Sequence, residues 1–489
     1  MLFNSHIFML LFLPLLLAGW YFLNWKKKFQ LAQGYLIGMS LWFYAYANLQ
    51  YLWLLLFSCL IGWLLSCLPE KIFSEKGKKV LTGVGCVFHL GLLGYFKYSN
   101  FFLENLNTVF HTDFPMLQIL LPVGISFYTF QQLAYLIDRC RGDAPRDSFF
   151  DYLTFMVYFP QLLQGPILLR SEFMEQLKEP ERRRFHAERF SEGIQFFVFG
   201  LAKKVLLADT LAKAVNYGYS NVSMLDSISA LLLAVGYLTE LYFDFSGYCD
   251  MAVGLGKMIG LEVAENFDAP FHSASVKEFW RRWHMTLGRF FTRYVYIPLG
   301  GNRRGKMRTL CNVMIVMLLS GLWHGAAWTF VLWGFLHGVG MIWDNLEHPH
   351  LPKKWMRQAA TFAYVCMTFV FFRAESIAQG VDVLKSIVSL KWNGFVFQMA
   401  SALDLTEFYM ITKALSMKLP GLLSWFWLGI FVVLIAICFR VLSGKKVSGV
   451  VALQKQKGYG RLYPVLLAFL FTWSMISMTG VSEYLYFSF

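Results

Sequence analysis

The sequence Gly-Leu-Trp-His-Gly at residues 321–325 interrupts an almost continuous apolar run between residues 309 and 344. An ionisable imidazole with about a dozen mostly apolar residues on either side is costly in lipid, and such residues usually serve a function. The two glycines permit a break in the helix, and irregular backbone at membrane depth is tolerated mainly where it lines a cavity or is buried in protein. The run therefore predicts spans at 309–323 and 326–344, with His324 either at a tight outer turn or at membrane depth.

His324 has two possible roles on these grounds. A neutral imidazole can be buried, changes charge near neutral pH and can take a proton from a hydroxyl or thiol. The alternative is a histidine that only forms hydrogen bonds between helices, which is the role favoured for His337. The histidines and the eight scattered cysteines lack the spacing of a metal site, so no metal is predicted.

Apolar segments of spanning length recur along the whole chain of 489 residues. Hydrophobic residues make up 57% of the sequence and charged residues 15%, and the mean hydropathy is +0.48. Repeated runs of about 18 or more apolar residues exceed what a soluble core needs. The sequence therefore predicts an all-α polytopic membrane protein with about twelve spans. These are assigned to residues 7–23, 35–47, 50–68, 80–104, 117–138, 190–215, 227–258, 309–323, 326–344, 358–372, 421–439 and 462–480.

The basic residues indicate how these spans cross the bilayer. Of the 44 Lys and Arg residues, 34 fall in every second connection, five fall in the other connections and five lie inside spans. Cytoplasmic loops are enriched in Lys and Arg, so this asymmetry predicts both termini outside the cytoplasm. The net charge of +14 is then explained by topology and by anionic lipid, and no nucleic acid partner is predicted.

Two segments do not fit simple spans. Residues 149–169 are apolar but contain Pro160 and Pro166, which predicts a re-entrant or interfacial segment. Residues from about 375 to 420 mix short apolar stretches with lysines, which predicts a segment on the outer surface. No internal repeat or low-complexity linker divides the sequence, so residues 1–489 are predicted to form a single integral membrane domain.

A basic and aromatic segment at residues 275–294 precedes the interrupted run. On a helical wheel, Arg289 and Arg293 fall within about 20° of Arg282, whereas aromatic and aliphatic side chains share another face. This pattern predicts an amphipathic helix that lies in the cytoplasmic interface. His284 falls at the edge of the aromatic face and would point into the protein. An ordinary interfacial helix with a hydrogen-bonded histidine is the alternative.

Asp244 lies in a polar and aromatic segment, residues 242–250, near the end of a long predicted span. A carboxylate within a span is expected to have a partner inside the protein. Asp244 could orient a histidine or pair with Arg281 or Arg282, and the ion pair is favoured.

These segments and several others form a recognisable set of motifs. They are Asn266-Phe267-Asp268-Ala269-Pro270-Phe271, Glu278-Phe279-Trp280-Arg281-Arg282-Trp283-His284, Trp323-His324-Gly325 and residues 122–128, 159–166, 242–256, 294–301 and 484–487. Together they resemble the membrane-bound O-acyltransferases, and in particular the bacterial alginate O-acetyltransferase branch. The resemblance covers most of the chain and is densest between residues 120 and 345.

The resemblance implies a fold and a reaction. The fold would be a cone of tilted helices around a transmembrane tunnel in a bacterial inner (plasma) membrane. An acetyl or other acyl group would come from acetyl-CoA or another cytoplasmic thioester and pass to an exported polysaccharide, with no bound cofactor. A periplasmic or extracellular acetyltransferase would be the protein partner.

The resemblance also implies which residues act. His324 corresponds to the near-invariant histidine of the family and His284 to its second common histidine, so both are expected to be catalytic. Substrate or donor binding is expected from Trp280, Arg281, Arg282, Trp283, Asp244, Trp323, Arg303 and Arg304.

Three alternatives remain open from the sequence. D-alanyl transfer to teichoic acid is associated with similar motifs, although in shorter chains. A transporter or flippase would need inverted repeats and paired broken helices, whereas the sequence has one clear break and no repeat. An inactive scaffold for an acetylating partner is disfavoured because the histidines are retained.

Overall fold

The computed structural model describes residues 1–67, 75–346, 352–442, 446–456, 458, 460–478 and 484–485. All regular secondary structure in these ranges is helical. Six of the described helical stretches are long and apolar enough to cross a membrane: Phe8–Trp25, Leu49–Cys67, Lys76–Phe110, Ser227–Ile259, Lys306–His324 and Pro420–Val441. The prediction of an all-α polytopic membrane protein is therefore confirmed.

The helices are numbered here in chain order. The first eleven are α1 Leu13–Trp25, α2 Phe29–Asn48, α3 Leu52–Cys67, α4 Glu75–Leu93, α5 Ser99–Phe110, α6 Ile125–Arg141, α7 Phe149–Val157, α8 Phe159–Leu162, α9 Arg170–Leu177, α10 Ala187–Ala202 and α11 Asp209–Ser220. The others are α12 Ser227–Ile259, α13 Val276–Arg282, α14 Met285–Phe291, α15 Lys306–His324, α16 Trp328–Asn345, α17 Lys354–Arg373, α18 Ile377–Val388, α19 Phe395–Ser401, α20 Tyr409–Lys418, α21 Pro420–Leu442, α22 Val447–Gln456 and α23 Leu462–Ser477. Single π-helical turns occur at Phe8–Phe12, Gly94–Tyr98, Lys203–Ala208 and Thr292–Tyr296.

Each of the twelve predicted spans contains helical residues, but the helix of the fifth span begins later than predicted. The apolar pattern predicts a helix from residue 117, whereas α6 begins at Ile125. Pro122 lacks the N–H that a helix interior requires, and Gly124 has a φ of 78°. Both residues favour an irregular entry, so hydropathy alone places the start of this helix too early.

The segment at residues 149–169 is broken, as its prolines predict. α7 and α8 are short, and every residue from 154 to 168 is buried. Its placement with respect to the bilayer stays a prediction.

By their internal contacts, the residues divide into two compact units. The first consists of Met1–Val198, Tyr248–Asn266 and Thr286–Pro298, and the second of Phe199–Gly247, Phe267–Met285 and Leu299–Phe489. Each unit collects separate stretches of the chain, so neither is a continuous segment. The single integral domain therefore stays a prediction, and all of the predicted site residues belong to the second unit.

Buried polar and aromatic contacts hold the first unit together. Arg170 Nε donates a hydrogen bond to Asp147 Oδ2 at 2.8 Å. The rings of Phe130 and Phe290 stack with their centroids 4.1 Å apart. These contacts join residues that are distant in sequence.

In the second unit, residues 375–420 form the short helices α18, α19 and α20. Asp226, which precedes α12, accepts hydrogen bonds from the backbone N–H groups of Asn393 at 3.2 Å and Gly394 at 3.1 Å. These bonds attach the segment to the N-terminal end of α12. Its position on the outer surface stays a prediction.

Candidate active site

His324 is the last residue of α15, so the break predicted at this histidine is confirmed. Residues 325–327 form a three-residue connection, in which Gly325 and Ala327 have extended backbone conformations, and α16 begins at Trp328. This short connection places α15 and α16 side by side.

Two glycines allow α15 and α16 to pack closely. A Cβ atom on Gly321 would overlap the carbonyl oxygen of Phe330, and a Cβ atom on Gly334 would overlap the carbonyl oxygen of Met317. Backbone atoms within helices cannot move aside as easily as the end of a flexible side chain. The two glycines therefore fix how the end of α15, and with it His324, is positioned against α16.

Replacing Gly321 by alanine is expected to destabilise the protein by about 1–3 kcal/mol, because the added methyl group overpacks the contact between the helices. Thermal unfolding of the detergent-solubilised protein would measure this loss. The matched control is Gly429→Ala on α21, where a Cβ atom would meet no other atom within 4 Å. Equal unfolding midpoints for the two variants would contradict the role given to Gly321.

His324 is buried among aromatic rings. Its imidazole centroid lies 4.8 Å from that of Trp323, 5.2 Å from that of Trp333 and 5.1 Å from that of Phe372. The residue is 4% exposed. Because little water can reach this position, electrostatic interactions of the imidazole are stronger here than at the protein surface.

His284 lies in a break between α13 and α14. Its φ is 45°, a left-handed conformation that is uncommon for residues other than glycine. The prediction of one continuous amphipathic helix at residues 275–294 was therefore wrong. A helical wheel assumes regular rotation at every residue, and Trp283, which is extended, and His284 both depart from it.

Trp323 connects the two predicted catalytic histidines. The ring centroid of fully buried His284 lies 6.1 Å from that of Trp323, which in turn lies 4.8 Å from that of His324. Phe245 contacts His284 from α12 at 4.8 Å. The structure thus brings His284 and His324 to one indole, which sequence separation alone did not reveal.

Burial lowers the pKa of His284 from its ordinary value of 6.5 to about 3, because the charged imidazolium is poorly solvated in the protein interior. The unfolded chain binds this proton more readily. The contribution that neutral His284 makes to folding stability is therefore fully present above about pH 6.5. It declines as the pH falls from about 6.5 towards 3.

The pH dependence can be measured as thermal unfolding of the wild type and of His284→Gln between about pH 7.5 and pH 4.5. We expect the wild type to lose more stability on acidification than the variant, which has no imidazole at this position. Parallel pH profiles would contradict the burial of a neutral His284.

His337 is held by hydrogen bonds at both ring nitrogens. Trp280 Nε1 donates to Nδ1 at 3.2 Å, and Nε2 lies 2.9 Å from Thr368 Oγ1. Because Trp280 is a donor, Nδ1 must be unprotonated, and the proton on Nε2 can be donated to Thr368, whose hydroxyl donates onward to the carbonyl of Val365 at 2.8 Å. These contacts support the structural role predicted for His337.

Asp244 forms an ion pair, but the predicted partner was wrong. Its Oδ1 lies 2.6 Å from Lys204 Nζ, and the side chains of both residues are 2% exposed. Lys204 also lies 2.8 Å from Asp209, and Asp244 Oδ2 accepts the backbone N–H of Leu485 at 3.1 Å. Lys204 was missed, although a lysine inside a predicted span was the available signal.

The arginines of the predicted stripe form ion pairs with carboxylates. Arg282 pairs with Glu278 at 2.7 Å in the second unit. In the first unit, Arg289 pairs with Glu172, and Arg293 lies 3.0 Å from Asp138. The wheel could not register Glu172 and Asp138, which lie outside the segment. Glu278, four residues before Arg282, was available from it.

Of the basic residues predicted to bind the donor, Arg281, Arg303 and Arg304 are exposed. Trp283 is buried, and its ring centroid lies 5.1 Å from that of Phe267. Trp280 contacts His337, as described above. Roles of these residues in donor binding stay predictions.

Comparison with known proteins supports the resemblance seen in the motifs. The model of MBOAT, the membrane-bound O-acyltransferase family, matches residues 141–375. The chain is 35% identical over 423 residues to the peptidoglycan O-acetyltransferase of Helicobacter pylori, with 80% of each chain covered. It is 39% identical over 389 residues to a probable alginate O-acetylase of Azotobacter vinelandii, with 77% of this chain and 76% of the relative covered.

A more distant similarity connects the chain to a different transfer reaction. The chain is 28% identical over 253 residues to the teichoic acid D-alanyltransferase of Streptococcus thermophilus, with 49% of this chain and 58% of the relative covered. The O-acetyltransferase relatives match at higher identity over much more of the sequence. Taken with the helical membrane fold, these matches show that the chain is an O-acyltransferase and belongs to the membrane-bound O-acyltransferase family.

Proposed function

We propose that this O-acyltransferase passes acetyl groups from a cytoplasmic thioester to hydroxyl groups of an exported polysaccharide. The observation that carries the proposal is the burial of His284 and His324 against the same residue, Trp323. The names of the peptidoglycan and alginate relatives support acetyl as the acyl group and a polysaccharide as the acceptor. The break at His324 is where a tunnel across the membrane would need irregular backbone.

In the proposed mechanism, His324 is the general base. Its imidazole takes the proton from the acceptor hydroxyl as that oxygen attacks the thioester carbonyl. The C–S bond then breaks, and the imidazolium returns the proton to the leaving thiolate. A covalent route, in which the imidazole nitrogen first accepts the acetyl group and then passes it to the acceptor, is the variant of this scheme.

His284 has a different role in this mechanism. Its pKa of about 3 makes it a weak base, so the buried ring is neutral at physiological pH. A neutral imidazole can donate one hydrogen bond. We assign His284 to positioning the thioester, where such a bond would stabilise negative charge that develops on the carbonyl oxygen.

The donor is proposed to be acetyl-CoA or another acyl thioester. Arg281, Arg303 and Arg304 are exposed and can attract the phosphate groups of such a donor. The positive-inside asymmetry supports a cytoplasmic position for these residues. The bacterial relatives support an inner (plasma) membrane location. A periplasmic or extracellular acetyltransferase is the proposed partner that completes modification of the polymer.

D-alanyl transfer is the second candidate, because the teichoic acid D-alanyltransferase is a relative. Membranes that contain the protein would be supplied either with labelled acetyl-CoA or with a carrier protein charged with labelled D-alanine. We expect His324-dependent transfer of the acetyl label to polymer. Transfer of D-alanine without acetyl transfer would overturn the proposed acyl group, and transfer of neither label would count against the proposed function.

A further inference from the structure

The second unit contains a cavity of about 900 Å³, and neither His284 nor His324 lines it. Its walls are mostly aliphatic and aromatic. They come from the Lys203–Ala208 turn and the start of α11, from α21, and from α22 and α23. Val205 and Leu434 are buried lining residues on two of these walls. The acyl-transfer mechanism above does not use this space.

The cavity has the dimensions of a lipid chain. α21 lines it from Ile430 to Val441, which at a rise of 1.5 Å per residue is a length of about 16 Å. The hydrocarbon core of a bilayer is about 30 Å thick, so this length matches the acyl chains of one leaflet. An apolar space of this length inside a membrane protein suits a hydrocarbon chain better than a polar substrate.

The charges along the lining favour an anionic headgroup. Lys203, Lys213 and Lys446 line the cavity together with two carboxylates, Asp209 and Glu407. Both carboxylates have partners within the protein. Asp209 lies 2.8 Å from Lys204 Nζ, and Glu407 Oε1 accepts a hydrogen bond from Ser477 Oγ at 3.0 Å. Counted as formal charges, three lysines against two carboxylates give the lining one excess positive charge.

The charged lining residues have different surroundings. Lys213 interacts electrostatically with Glu407, so these two charges offset each other. Lys446 directly precedes α22. The basic asymmetry of the sequence assigns the connection that contains Lys446 to the cytoplasmic side, where the leaflet is rich in anionic lipid.

We propose that this cavity binds an anionic phospholipid of the bilayer, with an acyl chain between α21 and α23 and the phosphate near Lys446. The bound lipid would fill a space that the helices leave open in the second unit. Binding of this kind does not depend on the identity of the acyl donor or of the acceptor.

The proposal can be tested by native mass spectrometry of the full-length, detergent-solubilised protein with phosphatidylglycerol or phosphatidylcholine added. We expect the wild type to retain one phosphatidylglycerol and to bind phosphatidylcholine more weakly. Leu434→Trp, which fills the cavity from α21, should lose the retained lipid. The matched control is Val432→Trp, because Val432 is on the same helix, is 50% exposed and does not line the cavity.

A second variant tests the headgroup without altering the apolar walls. Lys446→Ala is expected to weaken phosphatidylglycerol binding about fivefold, the effect of one surface lysine on an anionic lipid, and to leave phosphatidylcholine binding unchanged. Because Lys446 is exposed, Lys446→Ala should fold, and it therefore tests lipid binding even if Leu434→Trp does not fold. Equal lipid retention by Leu434→Trp and Val432→Trp, or equal binding of the two lipids by the wild type, would overturn the proposal.

Discussion

Replacing His324 by alanine is expected to reduce acyl transfer by about 10²–10⁴-fold, the typical contribution of a positioned general base. His324 is buried in contact with Trp323, Trp333 and Phe372, so a base from the solvent cannot readily take its place. Acetylation of the polymer should therefore be lost while the protein remains in the membrane. The measurement is the acetate released from purified polymer, normalised to the amount of protein in the membrane.

Two further variants separate chemistry from packing at His324. His324→Gln keeps most of the side-chain volume but cannot accept the proton, and we expect it to be as inactive as the alanine variant. His186→Ala is the control, because His186 is exposed and lies far from this site in sequence. Near-normal acetylation by His324→Ala at equal membrane abundance would remove His324 from the mechanism.

Replacing Lys204 by methionine is expected to destabilise the protein by about 3–5 kcal/mol, because it leaves a buried carboxylate without its counter-charge. Asp244 is 2% exposed in its side chain and lies 2.6 Å from Lys204 Nζ. Asp209, the other partner of Lys204, is 25% exposed and can be solvated more easily. The thermal unfolding midpoint in detergent and the yield of folded protein would both report the loss.

A double variant tests the physical reason for this loss. Lys204→Met combined with Asp244→Asn removes both charges of the closest pair, and we expect it to recover part of the stability lost in Lys204→Met. The control is Lys385→Met, because Lys385 and Asp382 form an exposed pair, and such pairs contribute little. If the double variant were less stable than Lys204→Met, the interpretation of an uncompensated buried charge would fail.

The features that sequence predicted best are those set by local chemistry. Hydropathy placed a helix in every predicted span, and the unusual cost of an imidazole in an apolar run pointed to the helix break at His324. The start of α6 was misplaced because Pro122 and Gly124 permit an irregular segment that is still apolar. Hydropathy measures the preference of side chains for lipid and contains no information about such backbone conformations.

The arrangement around the histidines was less accessible to sequence. A wheel at residues 275–294 could not anticipate the left-handed conformation of His284, which ends the regular rotation. The partner of Asp244 was missed because Lys204 lies 40 residues earlier in the chain. The contact between His284 and Trp323 likewise depends on how α12, α13 and α15 pack, and residue spacing does not determine such packing.

This O-acyltransferase is proposed to move an acetyl group from a cytoplasmic donor to an acceptor on the other face of the membrane through His324. The most direct measurement uses sealed inside-out membrane vesicles that enclose the acceptor polysaccharide together with the periplasmic contents, and labelled acetyl-CoA is supplied outside. We predict label on the enclosed polymer with wild-type protein and only background label with His324→Ala. Equal labelling of the enclosed polymer by the two proteins, or label confined to molecules outside the vesicles, would contradict the claim.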